Sequence, residues 1–204
     1  MTPRSALDCG LAELALPLPP GAGEKLLRYV ALLEKWNRTY NLTAIRDPLE
    51  MVSHHLLDSL AVLPHLPMRQ QAASLADIGS GAGLPGIPLA IARTDWRVTL
   101  NDSNQKKTAF LRQAAIELDL ANVQVHEGRV EAWRPAALFS VVISRAFAEL
   151  GEFISSCRHL VAPGGVLAAM KGVSPGKTGT AQLVRIKVPL LDAQRHLVLC
   201  RIGD

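Results

Sequence analysis

Cysteine is scarce in this chain: Cys9, Cys157 and Cys200 are its only three, widely spaced and without a Cys-x-x-Cys pair. That pattern excludes a disulfide framework and a zinc-type ligand spacing, and the three thiols are expected as small buried apolar residues. Long apolar runs are missing as well, since no stretch approaches the roughly 20 residues of a membrane span. Glu13, Pro17, Pro19 and Pro20 interrupt the apolar N-terminus, so a signal peptide is not expected. The chain is accordingly expected to be cytoplasmic, where the Asn37-Arg38-Thr39 and Asn41-Leu42-Thr43 glycosylation patterns have no meaning. Internal repeats and low-complexity tracts are absent too. The net charge of +4 and pI near 9.2 permit an anionic partner without requiring one. Arg28, Lys35, Arg38 and Arg46 recur near the N-terminus, and Lys171, Lys177, Arg185, Lys187 and Arg195 near the C-terminus; such charges ordinarily form solvated faces.

What is present suits one ordinary core with a small helical addition: 204 residues, 49% hydrophobic and 20% charged. Apolar positions at helical spacing predict helices over 23–37 and 49–63, giving a helical N-terminal extension over 1–66. From Ser74 onward short strands alternate with helices: strands near 74–78, 97–101, 123–127, 139–144 and 165–170, and a clear helix over 104–120. This alternation predicts an α/β fold over 67–204, a parallel sheet covered by helices. Two further strand-like runs, near 183–188 and 196–202, would complete the sheet as a hairpin-like pair. Between them and the fifth strand lies a Gly/Ser/Thr/Pro-rich piece, 172–180. Its P-loop-like string is one residue short and precedes a strand, so it is a chance match.

The most informative string is Leu75-Ala-Asp-Ile-Gly-Ser-Gly-Ala-Gly-Leu-Pro-Gly-Ile-Pro88, a buried strand running into three alternate glycines and a helix start. Glycine at 79, 81 and 83 lets the backbone turn tightly and approach a ligand, while the helix behind offers free amides. Two registers are open. Gly81-x-Gly83-x-x-Gly86 matches the dinucleotide fingerprint, and Asp77-x-Gly79-x-Gly81 is the form of S-adenosylmethionine-dependent methyltransferases. Asp77 tips the reading, because a carboxylate facing the turn suits a cofactor with an amino-acid tail and repels a pyrophosphate. Asp102 ends the second strand, where it can hold a ribose diol; both cofactors carry one.

The ordered blocks Lys35-Trp36-Asn37…Tyr40-Asn41-Leu42-Thr43, His55-Leu-Leu-Asp58-Ser59, Asp77 to Pro88, Arg129-Val130-Glu131, Ser144-Arg145-Ala146-Phe147-Ala148 and Arg195-His196-Leu197-Val198 span nearly the whole chain. Together they resemble the RsmG (GidB) family of bacterial small-subunit rRNA methyltransferases. The resemblance implies a class I S-adenosylmethionine-dependent methyltransferase fold, a Rossmann-like seven-stranded sheet with a helical N-terminal extension. It also implies methyl transfer from S-adenosylmethionine to N7 of one guanine in the 530 loop of 16S rRNA, within the small ribosomal subunit or its precursor. By position, Gly79 and Leu84 are implied as cofactor contacts in the glycine loop, with Asp77 and Gly81 beside them. Val130 and Glu131 are implied around the adenosine, Asp102 at the ribose, and Arg145 near the cofactor and the reactive centre. A monomer without membrane or metal is expected.

Other methylation chemistries leave different traces. The chain has Ser-Arg-Ala-Phe where amino-group methylation shows Asn/Asp-Pro-Pro-aromatic, and its later cysteines fall inside a predicted helix and strand, away from any nucleophilic position. Two rivals remain: a nicotinamide oxidoreductase built on the literal fingerprint, and a noncatalytic RNA-binding protein. The second gains some weight because the family usually carries a longer, helix-containing segment between Lys171-Gly172 and Val188-Pro189. Several residues have plainer roles to set against chemical ones. His54 and His55 are expected to cap and pack a helix, Trp36 and Tyr40 to pack at a helix end, Lys106 and Lys107 to be solvated. Arg145, taken without the family, would form a salt bridge to Asp77, Asp102 or another acidic residue.

Overall fold

The computed structural model describes residues 1–67, 73–145, 147, 149–172 and 180–202. The P-loop-like string beyond Gly172, with Lys177, lies outside the described residues, as do Ala146 and Ala148 of the Ser144–Ala148 block.

Among the described residues, three longer helical stretches and a 3-10 turn (Leu63–His65) precede the sheet. The first, α1 (Pro3–Leu14), had no counterpart in the sequence reading, although its start is written locally: Thr2 and Ser5 form a reciprocal capping box around Pro3. The second, α2 (Ala22–Tyr40), buries Leu26, Tyr29, Val30 and Leu33, the face predicted from helical spacing. Trp36 packs on Phe110 and stacks with Tyr40, which stays exposed. The third runs unbroken from α3 (Pro48–Met51), capped by Asp47, through a π-helical turn (Val52–Leu57) into α4 (Asp58–Leu60). The predicted 49–63 helix is thus found, with a wider turn than periodicity can show; such turns recur at functional sites.

Seven strands then form one sheet in the order β3-β2-β1-β4-β5-β7-β6. They are β1 (Ser74–Ile78), β2 (Arg97–Asp102), β3 (Val123–Glu127), β4 (Phe139–Ser144), β5 (Val161–Lys171), β6 (Gln182–Ile186) and β7 (Arg195–Arg201). Pairs β1–β2, β1–β4, β2–β3 and β4–β5 are parallel, whereas β7 runs antiparallel to both β5 and β6. The predicted hairpin-like pair is therefore present, with β7 inserted between β5 and β6. Helices α5 (Gly86–Ala92), α6 (Gln105–Glu117, capped by Asn104) and α7 (Leu150–Cys157) supply the crossovers.

Leu75, Leu100, Val141, Ala168 and Leu197 share one core with Leu26, Tyr29, Leu33, Met51, Leu56 and Leu60. The opposite face packs Ile78, Val142, Leu167 and Val198 against Trp133, Phe139, Phe153 and Leu160. Central strands buried on both faces explain why β1 reads as a short apolar run. Cys157 and Cys200 lie inside as expected. Cys9 does not: it sits on the exposed face of α1, because the buried face there falls on Ala6, Leu7 and Gly10.

Among the described residues no helix is long and apolar enough to cross a membrane.

Candidate functional site

The order of strands reverses between β1 and β4, the switch point at which open α/β sheets bind ligands beyond their carboxyl ends. Ser144 closes that point, its hydroxyl donating to the Ile78 carbonyl at 2.7 Å. After Ile78 the chain turns through Gly79, Gly81 and Gly83, all at positive φ (67°, 59° and 89°). The turn is held from four sides. The Ser80 amide donates to the Asn101 carbonyl at 2.9 Å, and the Leu84 amide to the Ser80 carbonyl at 3.0 Å. Gly81 N–H donates to Asp102 Oδ2 at 2.9 Å, and Gly86 N–H donates to Asp77 Oδ2 at 2.9 Å. From the N-terminal helices, the buried Tyr29 hydroxyl donates to the Ala82 carbonyl at 2.6 Å.

Beside this loop opens a cavity of about 380 Å³, lined in part by Gly79, Asp102, Val130, Glu131, Phe147 and Glu152. Four residues singled out from the sequence, Gly79, Asp102, Val130 and Glu131, thus converge on one space from three separate segments. Four others do not line it. Asp77 is fully buried beneath the loop, Gly81 and Leu84 belong to the loop's own turn, and Arg145 lines a second cavity of about 230 Å³ with Asp58, Lys171, Arg195 and His196. There Asp58, 4% exposed, takes Arg145 Nη1 on one oxygen at 3.2 Å and Arg195 Nε on the other at 2.8 Å. Arg145 therefore has an acidic partner, but it comes from α4 and is neither Asp77 nor Asp102.

The family model for rRNA small subunit methyltransferase G (GidB) matches residues 22–189. This chain belongs to the GidB family. Ribosomal RNA small subunit methyltransferase G of Burkholderia thailandensis is 51% identical to this GidB chain over 215 positions, covering all of the chain and 93% of the relative. The same-named protein of Burkholderia pseudomallei is 50% identical with the same coverage. Because 215 aligned positions exceed the 204 residues here, these relatives carry residues that this chain lacks. Solved structures share the fold at low identity. A SAM dependent methyltransferase from Aquifex aeolicus has a TM-score of 0.58 at 16% identity, over 85% of this chain and 98% of that one. A predicted O-methyltransferase from Agrobacterium tumefaciens, Atu636, has 0.56 at 24%, over 73% and 80%.

Asp58 and Arg195 stand in the blocks that carried the family resemblance; Asp58 has no assigned role from sequence, and Arg195, expected on a solvated face, is instead only 23% exposed and paired to Asp58. The signal available was a charged residue inside an otherwise apolar helix, and Asp58 among Leu56, Leu57 and Leu60 is one. His54 and His55 serve packing: His55 is buried with Nε2 2.9 Å from the Thr43 hydroxyl, and His54 Nδ1 lies 3.1 Å from the Glu50 carbonyl. Lys106 is exposed, whereas Lys107 Nζ lies 3.9 Å from Asp102 Oδ2.

In the GidB loop the buried acid is the unusual element. Burial raises the Asp77 carboxyl to about 7, against the opposing pull of the Gly86 amide, the Ser80 hydroxyl and Arg145. Its Oδ1 has no hydrogen-bond partner among the described residues. Between pH of about 4 and about 7 the folded chain therefore holds a proton that the unfolded chain releases, so this group's stabilisation declines as pH rises through about 7. His55 slopes the other way at lower pH: burial first, then Arg145, pushes its imidazole down to about 4, so its stabilisation is full above about 6.5 and is lost as pH falls towards 4. Asp77→Asn keeps an oxygen to accept from Gly86 and isolates the first effect. The variant is expected to gain on wild type in melting temperature as pH rises from about 6 to about 8. A difference that does not change with pH over that interval would contradict the argument.

Proposed function

We propose that this chain methylates N7 of one guanine in the 530 loop of 16S rRNA, acting as a cytoplasmic monomer on the small ribosomal subunit or its precursor. At the coarser level it is an S-adenosylmethionine-dependent rRNA methyltransferase, as its family membership gives. The observation that carries the reading is the family match over 22–189 on a chain in which Gly79, Asp102, Val130 and Glu131 line one cavity at the sheet's switch point. The dinucleotide reading loses ground on topology, because dinucleotide folds run 3-2-1-4-5-6 without an antiparallel strand between the last two.

The loop fits the cofactor. A Cβ built on Gly81 meets nothing nearer than the Gly79 carbonyl oxygen at 3.8 Å, so the described residues leave the backbone there uncrowded. Asp77 is buried with Oδ1 unpartnered and forms no ion pair among the described residues, and a ligand bearing an ammonium and a sulfonium would supply positive charge. We assign Gly79, Gly81 and Leu84 to the loop that receives the cofactor, and Asp77 beneath it to its charge. Asp102 is assigned to the ribose, and Val130 and Glu131 to the adenosine. S-adenosylmethionine supplies an electrophilic methyl group when bound.

Guanine N7 has an exposed lone pair and no proton, so the protein need not provide a general base. Its work is placement, which can supply roughly 7 to 11 kcal/mol in favourable geometry. Arg145 stands where β4 leaves the switch point, tied to Asp58 and adjoining both cavities through Ser144 and Ile78. We assign it the placement of the reacting groups at the cofactor. In this division the 1–66 helices form the supporting extension and 67–204 the catalytic unit.

The test is methyl transfer from labelled S-adenosylmethionine to unmethylated small subunits, with the label mapped by cleavage at N7-methylguanosine. Label at one guanine of the 530 loop is the expected result. Cofactor binding without transfer would favour the noncatalytic rival, and no cofactor binding would overturn the assignment of the loop.

A further inference from the structure

The second cavity has features that cofactor binding does not use. Among the described residues it is lined by three cationic side chains, Arg145, Lys171 and Arg195, against the single carboxylate of Asp58. Both Asp58 oxygens are already occupied by the arginines. Arg195 spends Nε on Asp58 and Nη1 on the Gln194 carbonyl, which leaves Nη2 without a hydrogen bond among the described residues. His196, 7% exposed and lining the same cavity, has its Nδ1 buried with no partner among them. Lys171 donates to the Phe147 carbonyl, so its ammonium stands at the boundary with the first cavity, which Phe147 lines. A buried nitrogen without a partner costs free energy unless a ligand satisfies it.

From this set we propose that the cavity of Arg195, His196 and Lys171 is a phosphate site, taking a backbone phosphodiester of the RNA substrate next to the base being methylated. The inference rests on the rRNA methyltransferase reading. Donors and positive charge dominate the lining, and an arginine fork with a free amino group matches phosphate oxygens. A guanine Watson–Crick edge fits less well, because its N1–H and N2 amino group need an acceptor and Asp58, the one carboxylate of the described lining, is already spent on Arg145 and Arg195, while the N7 edge is turned to the methyl group. The sequence places the two arginines 50 positions apart, and Asp58 sets the second at the cavity's rim by holding its Nε. The phosphate is thereby fixed relative to Arg145 and the cofactor loop, which gives a register for one nucleotide without reading its base.

The full chain is titrated against unmethylated small subunits over a range of salt, as wild type and as Arg195→Gln, with S-adenosylmethionine affinity measured on the same samples. Losing one phosphate contact flattens the plot of log affinity against log salt by about one unit, so the two proteins should converge by about fourfold between about 50 and about 200 mM salt. Cofactor affinity is expected to stay within about twofold. His196→Gln provides a second variant that leaves the Asp58 pair intact, and it should weaken subunit binding about tenfold through loss of a hydrogen bond to charge. Weaker binding at every salt with an unaltered slope for Arg195→Gln would mean base contact or a structural role, and would overturn the proposal. So would subunit affinity unchanged in His196→Gln. Failure of wild type to methylate the subunits at all would instead refute the function itself, and is read in the same experiment.

Discussion

Asp58→Ala is expected to lower the melting temperature by about 6 to 12 °C and to reduce methyl transfer at least about a hundredfold. Asp58 is almost fully buried and, among the described residues, is the one carboxylate paired with both Arg145 and Arg195, whose side chains are 30% and 23% exposed. Truncating it leaves two guanidinium groups facing each other with neither water enough nor a counter-charge. Breaking a buried pair in this way costs about 3 to 5 kcal/mol. The partial exposure of both arginines places the expected cost near the lower end, about 3 kcal/mol, and a chain of this size loses about 2 to 4 °C per kcal/mol. The catalytic effect has a separate origin. Asp58 reaches from α4 to the end of β4 and the start of β7, so its loss frees Arg145 and Arg195 together, and displacement of a positioning group by about 1 Å can cost about a hundredfold. Asp58→Asn keeps the shape and removes the charge, and should fall between the two. The measurements are thermal unfolding and the subunit methylation assay; an Asp58→Ala chain that melts like wild type would refute the pairing argument.

Two glycines two positions apart, Gly81 and Gly83, are expected to separate stability from binding. At Gly83 a Cβ would stand 2.4 Å from Ile87 Cδ1 and 3.1 Å from Leu111 Cδ2, at φ +89°. Gly83→Ala therefore combines left-handed backbone strain of about 1 to 2 kcal/mol with core overpacking of about 1 to 3 kcal/mol. It should lower stability by about 2 to 5 kcal/mol and lose cofactor binding with the loop. Gly81 is also left-handed, at φ +59°, but a Cβ there would make only an ordinary 3.8 Å contact with the Gly79 carbonyl oxygen. Gly81→Ala should cost only about 1 to 2 kcal/mol from the backbone, while placing a methyl group where the cofactor approaches. Its signature is a melting temperature lowered by only about 2 to 8 °C, less than in Gly83→Ala, with S-adenosylmethionine affinity reduced at least about tenfold. Unfolding curves and equilibrium binding distinguish the two, and normal cofactor affinity in Gly81→Ala would move the ligand elsewhere.

The sequence by itself determined what is local in this protein. Alternate strands and helices are legible because burial on both sheet faces demands short apolar runs, as in β1 and β2, and because α2 and α6 repeat at helical spacing. The glycine turn is legible because positive φ at 79, 81 and 83 leaves few other residues possible. Motif order sufficed for the family. The N-terminal α1 was missed though its capping box was on the page, and the π-helical turn at Val52–Leu57 has no periodic signature at all.

Tertiary structure decided the connections between distant charges. Asp77 was read as facing the glycine turn; folding gives one of its oxygens to Gly86 and leaves the other buried without a partner. Asp102 was read at a strand tip; folding ties it to Gly81 while it lines the cavity. Arg145 was given several acidic partners to choose from, and only the packing of α4 against the sheet selected Asp58, with Arg195 arriving from 137 positions away. The physical reason is that a salt bridge is specified by where two charges are brought in space, and neither composition nor spacing encodes that distance. Hydrophobic periodicity and backbone geometry act between neighbours in the chain, whereas the pairing of buried charge waits for the core to form around it.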